Sequence, residues 1–214
     1  MKISLIVEGK TATAFREALR RFLESRLSGR MPKLDAVPCD GHIPTGEKLQ
    51  RMVSQLLGSG PRPADAVVAL TDVYTGTREF QDATDAKAKM RAWVGEENRF
   101  YPHAAQYDFE AWLVPYWETI QRLAQHNRAA PQGRPEDIDH TKPPSVHIAE
   151  LFRAGKCRKD YSKVRDAKRI LRDVDLLRAA EECRELRSLL NTILGLCGAE
   201  QIPIADTSTG EKRR

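Results

Sequence analysis

Along this chain, short apolar runs alternate with stretches in which apolar residues recur every three or four positions. Ile3, Leu5, Ile6 and Val7 form a run that stops at Glu8-Gly9-Lys10-Thr11, so residues 2–7 are predicted as a strand. Thr11 can cap a following helix in which Phe15, Ala18, Leu19, Phe22, Leu23 and Leu27 share one face. Residues 34–39 are a second short strand candidate, and Leu49, Met52, Val53, Leu56 and Leu57 repeat the helical spacing over 46–57, ended by Gly58 and Gly60. Ala66-Val67-Val68-Ala69-Leu70 is continuously apolar and is followed by Asp72, the pattern of a strand covered on both faces. A charged helix is expected over 85–97, a fourth strand over 100–106, and a helix over 109–123. This β-α-β-α-β-α-β-α order predicts an α/β fold: a mainly parallel sheet of about four strands with right-handed crossovers, flanked by helices.

Residues 125–145 are rich in Pro, Gly, Asn and Asp without periodicity and are expected to form a mobile or irregular connection. Beyond it, 146–152, 163–171 and 176–196 read as helices, and 207–214 as a disordered tail. The expected organisation is an α/β core over 1–124, the connection over 125–145, a helical carboxyl-terminal extension packed on the core over 146–200, and a flexible tail over 201–214.

At 214 residues the chain is long enough to bury a sizeable core. It shows neither a secretory pattern nor an apolar run of membrane-spanning length, so a cytoplasmic location and no membrane partner are expected. The four cysteines form no C-x-x-C pair and the five histidines no ligand spacing, which argues against zinc. The net charge is +5. From Leu151 to Arg172, however, nine Lys or Arg residues face only Asp160 and Asp166, a run that reads either as a phosphate-contacting surface or as a solvated helix face. The aromatic residues Tyr101, Tyr107, Phe109, Trp112, Tyr116 and Trp117 crowd one region; their helical spacing reads as core, with stacking on unpaired bases as the alternative.

The candidate chemistry lies in acids at strand ends. Glu8, Asp72, and the pair Asp108 and Glu110 fall at or just beyond the carboxyl ends of predicted parallel strands, which share one edge of the sheet. Carboxylates gathered there repel one another unless a cation sits among them, and oxygen donors without His or thiolate partners select Mg²⁺ or Mn²⁺, ions suited to phosphoryl chemistry. Taken singly, Glu8 also reads as a partner of Lys10, Asp72 as a turn residue and Asp108 as a helix cap. Lys163, or else Lys10, is the candidate for stabilising charge that develops on a phosphate; Lys163 also reads as a surface lysine. Gly9 and Lys10 at the start of the first helix form a candidate phosphate site. The Gly-Lys-Thr triplet is not a P-loop, because position 4 is Ser where that motif needs Gly.

Four blocks carry a resemblance: Val7-Glu8-Gly9-Lys10-Thr11; Leu70-Thr71-Asp72-Val73-Tyr74-Thr75-Gly76; Tyr101 through Leu113, containing Tyr107-Asp108-Phe109-Glu110-Ala111-Trp112; and Lys159-Asp160-Tyr161-Ser162-Lys163-Val164. In order and spacing they resemble an uncharacterised bacterial Toprim-like family often encoded beside AAA-type ATPases. The resemblance implies a Toprim sheet similar to that of topoisomerases, primases and overcoming-lysogenization-defect nucleases, with Glu8 as the first metal-binding acid and Asp72 as the first aspartate of a D-x-D-like block. Two positions depart from the nuclease pattern: Ala12 stands where those relatives commonly have a second glutamate, and Tyr74 where they have the second aspartate. Glu110 and, after it, Asp108 are the carboxylates expected to make good the difference.

The expected function is therefore a Mg²⁺-dependent Toprim-like nuclease acting on DNA or RNA, the effector of an ATPase-linked anti-phage system. The alternative is a catalytically weakened Toprim-fold binding partner of an ATPase. An RNA-directed toxin is a third reading, and a homodimer is left open.

Overall fold

The computed structural model describes residues 1–58, 62–74, 79–138, 141–157 and 159–203. Residues 204–214 of the expected tail, Gly60 and the Thr75-Gly76 end of the second block lie outside the described residues, whereas Ile202, at the start of that tail, is buried and hydrogen-bonded to Asn191. Four strands, β1 (Lys2–Glu8), β2 (Lys33–Cys39), β3 (Ala66–Asp72) and β4 (Phe100–Ala105), form one sheet in the order β2-β1-β3-β4. Every pairing is parallel, as the alternating pattern predicts.

Both faces of this sheet are covered, which is why its central strands are apolar at successive positions. On one face, Leu5, Val7, Val68 and Leu70 pack with helix α1 (Gly9–Arg26) and with most of the helices that follow β4. On the other, Ile6, Val67, Ala69 and Phe100 meet α2 (Gly46–Gly58) and α3 (Ala83–Val94) through Leu49, Val53, Leu57, Met90 and Val94. Strand β2 is the partly exposed edge and carries Pro38, a residue that edge strands tolerate because one side of their ladder is unpaired.

From β1 the chain crosses by α1 to β2, whereas from β3 it crosses by α3 to β4 on the other side of the sheet. The neighbours β1 and β3 thus send their chains to opposite faces, which opens a crevice between their carboxyl ends. Glu8 and Asp72 are the last residues of these two strands.

Several elements differ from expectation. Residues 109–123 are not one helix: Phe109–Tyr116 is a 3₁₀ helix, all eight residues buried, and α4 (Trp117–Ala124) follows it. Pro115 lies within the first piece and removes the N–H that a regular helix would use there. The expected 176–196 helix breaks at Cys183 into α7 (Leu176–Glu182) and α8 (Arg184–Leu196). The 163–171 stretch is a π-helical turn, Lys163–Ala167, running into the short α6 (Lys168–Ile170), and α5 spans Pro144–Ala154. The connection read as irregular is pinned at Glu136, which is 4% exposed. Its carboxylate accepts from Trp112 Nε1 at 3.2 Å and from the Glu185 backbone N–H at 3.1 Å. The crowded aromatic residues Phe109, Trp112, Tyr116 and Trp117 are core, as their spacing predicts.

Candidate active site at the sheet edge

The site begins where β1 ends. Glu8 is both the last residue of β1 and the N-cap of α1, with extended backbone and no side-chain cap of its own. Strand runs directly into helix, with no intervening loop of the P-loop kind. On the neighbouring strand, Asp72 lies two residues beyond the last β1–β3 pair, Val7 with Leu70.

After β4 the chain turns through Tyr107, whose φ is 67°, a left-handed conformation that a residue with a Cβ adopts at some cost. That turn starts the 3₁₀ helix against the end of β3. The Phe109 N–H donates to Asp72 Oδ1 at 2.9 Å. Asp108 does not cap this helix; its Oδ2 accepts from the Ser145 N–H at the start of α5, at 3.2 Å. Glu110, 1% exposed, points into the same rim.

The cation comes from far along the chain. Lys163 Nζ is 3.1 Å from Asp72 Oδ2 and 3.1 Å from Glu110 Oε2, and 5.7 Å from the centre of the Phe109 ring. Tyr161 donates its hydroxyl to Glu110 Oε1 at 3.1 Å. Lys163 is therefore not a surface lysine. Of its basic neighbours, Arg165 and Arg169 pair with Asp166 and Lys168 with Glu17, so part of the positive run is used within the molecule.

Burial dominates the electrostatics. The Glu8 carboxyl is pushed up to about 7 by desolvation and then by repulsion from Asp72, with Lys163 opposing. Asp108 is pushed up to about 8 by desolvation, then by Glu110 and Asp72. Asp72 and Glu110 are also raised by burial, against the pull of Lys163. For Lys163 itself burial favours the neutral amine, but the two carboxylates outweigh it and hold the ammonium charged. Burial thus raises all four acids, and the Lys163 charge opposes it at Glu8, Asp72 and Glu110.

The donor chemistry fits a hard divalent cation. Glu8 Oε1, Asp108 Oδ1 and Glu110 Oε2 are buried without a hydrogen-bond partner among the described residues, the last being ion-paired with Lys163, and an ion at the rim would satisfy such oxygens. Among the described residues no three His, Cys, Asp or Glu side chains are grouped so as to hold one ion together. Mg²⁺ commonly takes one or two carboxylates and completes its shell with water and phosphate, so a site for it does not require a group of three.

Beside the acids lies an open cleft of about 600 Å³ lined by Glu8, Gly9, Lys10, Cys39, Asp40, Gly41 and Lys163. Gly9 and Lys10 stand at its wall, with Lys10 exposed. A Cβ on Gly9 would make only ordinary contacts with Pro38 and Cys39, 3.7 Å away, so strand packing does not demand glycine there. Tyr74 is 59% exposed and takes no part in the acid group. Tyr161 was not among the residues singled out from sequence, although it lies in the last block; its position two residues before Lys163 was the available signal.

A family model described as "Domain of unknown function (DUF4276)" matches residues 7–194. The chain belongs to the DUF4276 family. Among solved structures it is similar to the C-terminal region of the Burkholderia pseudomallei OLD protein, with 13% identity and a TM-score of 0.50, over 91% of this chain and 98% of that one. It also matches the C-terminal region of the Xanthomonas campestris pv. campestris OLD protein, with 14% identity and a TM-score of 0.45, over 92% and 96% of the respective chains. Comparison with curated proteins returned no match. The four-stranded parallel sheet flanked by helices, together with the Burkholderia likeness, bears out the Toprim-like fold expected of this DUF4276 chain. Among the described residues no helix is long and apolar enough to cross a membrane.

Proposed function

We propose that this DUF4276 chain is a divalent-metal-dependent phosphodiester hydrolase acting on DNA or RNA in the cytoplasm. The observation that supports this reading is the pairing of Lys163 with Asp72 and Glu110 at the β1–β3 crevice, with Glu8 and Asp108 close enough to be raised by the charges of the same acids, so that residues from three separate places in the chain share one rim with the lysine. Glu8 and Asp72 would hold Mg²⁺ or Mn²⁺, with Asp108 and Glu110 as further carboxylates of the same rim. When bound, such an ion polarises a phosphate and makes water a stronger nucleophile.

The chain's own residues supply the rest. Glu8, raised to about 7, would hold a cation in its deprotonated form. Lys163, held by two ion pairs, keeps a fixed positive charge where negative charge grows on the phosphate in the transition state. Lys10 and the backbone N–H groups at the start of α1, which has no acid in its first turn, provide an anion-binding wall for the flanking phosphodiester. The resemblance to chains encoded beside AAA-type ATPases supports a two-part system in which an ATPase partner controls cutting, and anti-phage defence is the role we assign to that pair.

The test is cleavage of plasmid, single-stranded DNA and RNA with Mg²⁺ or Mn²⁺, with and without the neighbouring ATPase. Glu8→Gln and Asp72→Asn are expected to abolish cleavage in protein that circular dichroism shows to be folded. Undiminished cleavage in both variants would overturn the assignment.

One observation favours a second reading. Lys163 already supplies a counter-charge to Asp72 and Glu110, so the rim is partly neutralised without a metal, as a non-cutting partner of an ATPase would require. Absence of Mg²⁺ and Mn²⁺ uptake by both the chain and its complex, measured calorimetrically, would select that reading.

A further inference from the structure

We infer that the Lys163 ammonium is a built-in counter-ion standing where a second divalent ion would otherwise be needed, so that this chain takes up a single metal ion, at Glu8 and Asp72. The inference rests on the metal-dependent reading above and adds its stoichiometry.

The argument comes from which carboxylate oxygens are already engaged. Glu110 accepts the Tyr161 hydroxyl at Oε1, and its Oε2, which makes no hydrogen bond, is ion-paired with Lys163 at 3.1 Å. Asp72 Oδ2 faces Lys163 and Oδ1 the Phe109 N–H, which leaves each oxygen one lone pair for a further partner. The Lys163 ammonium therefore lies between the two acids that a second ion would have to bridge. On the Glu8 side the position is different: Glu8 lines the cleft, and its buried Oε1 has neither a hydrogen bond nor an ion pair among the described residues.

Lys163 is also not a loose side chain that happens to fall into the rim. Ser162, between Tyr161 and Lys163, donates its N–H to Asp166 Oδ2 at 2.9 Å. Asp166 is fully buried and is gripped in turn by Arg165, whose guanidinium lies 2.7 and 2.9 Å from its two oxygens. The π-helical turn Lys163–Ala167 thus fastens Tyr161 and Lys163 as a pair, and Glu110 is held from both sides by one anchored segment. A hard dication competing for Glu110 would have to displace an ion pair and a hydrogen bond together.

The test counts Mn²⁺ bound per chain by equilibrium dialysis and by electron paramagnetic resonance, on wild type, Glu110→Gln and Lys163→Met. One ion is expected in wild type. One ion, with affinity changed less than about threefold, is expected in Glu110→Gln, because that carboxylate serves Lys163 and not the metal. Two are expected in Lys163→Met, whose melting temperature in chelator falls and is restored by Mn²⁺. Two ions in wild type, loss of the ion in Glu110→Gln, or a natively folded Lys163→Met that still takes one would each overturn the inference. If Lys163→Met does not fold, the first two counts decide. Absence of any ion in wild type would overturn the metal-dependent reading itself, an outcome distinct from these.

Discussion

Lys163 reaches Asp72 across 91 residues of chain and meets it at 3.1 Å in a place where the aspartate is 6% exposed. Breaking a buried ion pair by removing one partner leaves the other charge without compensation. Lys163→Met is therefore expected to lower the unfolding free energy by about 3–5 kcal/mol in the absence of metal. Adding Glu110→Gln removes one of the stranded carboxylates, so the double variant should be more stable than the sum of the single effects predicts. Urea denaturation of the four proteins in chelator measures the coupling.

Asp108 is a buried acid with one unpartnered oxygen and a carboxyl raised to about 8. An amide has no charge to desolvate and can still accept from the Ser145 N–H. Asp108→Asn should raise stability at pH 8 by about 1–2 kcal/mol, seen as a higher melting temperature, with a smaller gain at pH 6 where the native acid is already neutral.

His103 gives a pH dependence of opposite sign. It is buried in β4 beside Thr192, with Nε2 and Oγ1 3.0 Å apart, and its pKa is pushed down from 6.5 to about 3 by desolvation and then by Lys87. The unfolded chain takes up this proton first, so the contribution is fully present above about pH 6.5 and is lost as pH falls toward about 3. Near pH 4.5 the loss is about 2–3 kcal/mol. Glu8 and Asp108, raised in the folded state, push the other way as pH falls. The measurement is therefore the difference between wild type and His103→Gln, which should shrink by this amount between pH 7.5 and pH 4.5.

At Gly155, the residue after α5, a Cβ would come 1.9 Å from the Ala124 carbonyl oxygen, closer than any side chain allows. The chain here passes over the end of α4, with the Cys157 N–H donating to Ala124 O, on its way to Tyr161 and Lys163. Gly155→Ala should cost about 2–4 kcal/mol by chemical denaturation. It should also weaken hydrolysis beyond its effect on folding, since it shifts the segment that carries the lysine.

Lys10, exposed at the cleft, is predicted to contact substrate phosphate and nothing sequence-specific. Lys10→Ala should weaken nucleic-acid binding by a similar factor for all sequences and flatten the slope of log affinity against log salt by about one, measured by fluorescence anisotropy in an Asp72→Asn background that cannot cut.

The parallel sheet and the edge that carries its acids were legible because a parallel sheet covered on both faces leaves an unusual mark: continuous apolar runs, here closed by an acid in β1 and β3. The order of the strands was not read from the sequence. Glu8 and Asp72 could be placed at one rim on that ground alone. Asp108 and Glu110 were legible as acids but not in orientation, since the 3₁₀ path set by Tyr107 and Pro115 determines which way each side chain points, and helical periodicity misreads it. The pairing of Lys163 with Asp72 and Glu110, and the part played by Tyr161, depend on a non-periodic turn whose geometry is imposed by Asp166 and by the close passage at Gly155. Glu136 was hidden for the same reason: a Pro- and Gly-rich stretch carries no period, yet tertiary contacts with Trp112 and Glu185 hold it in place.

The rim acids all lie within the first 110 residues, whereas Tyr161 and Lys163 arrive from the far side of α5. A fragment ending just after Glu110 would keep the carboxylates and lose the only ammonium that faces both Asp72 and Glu110 among the described residues. The later helices are thus an electrostatic component of the sheet rather than an appendage to it. Any minimal version of this protein, or any graft of its sheet into another, must bring the 161–167 turn along.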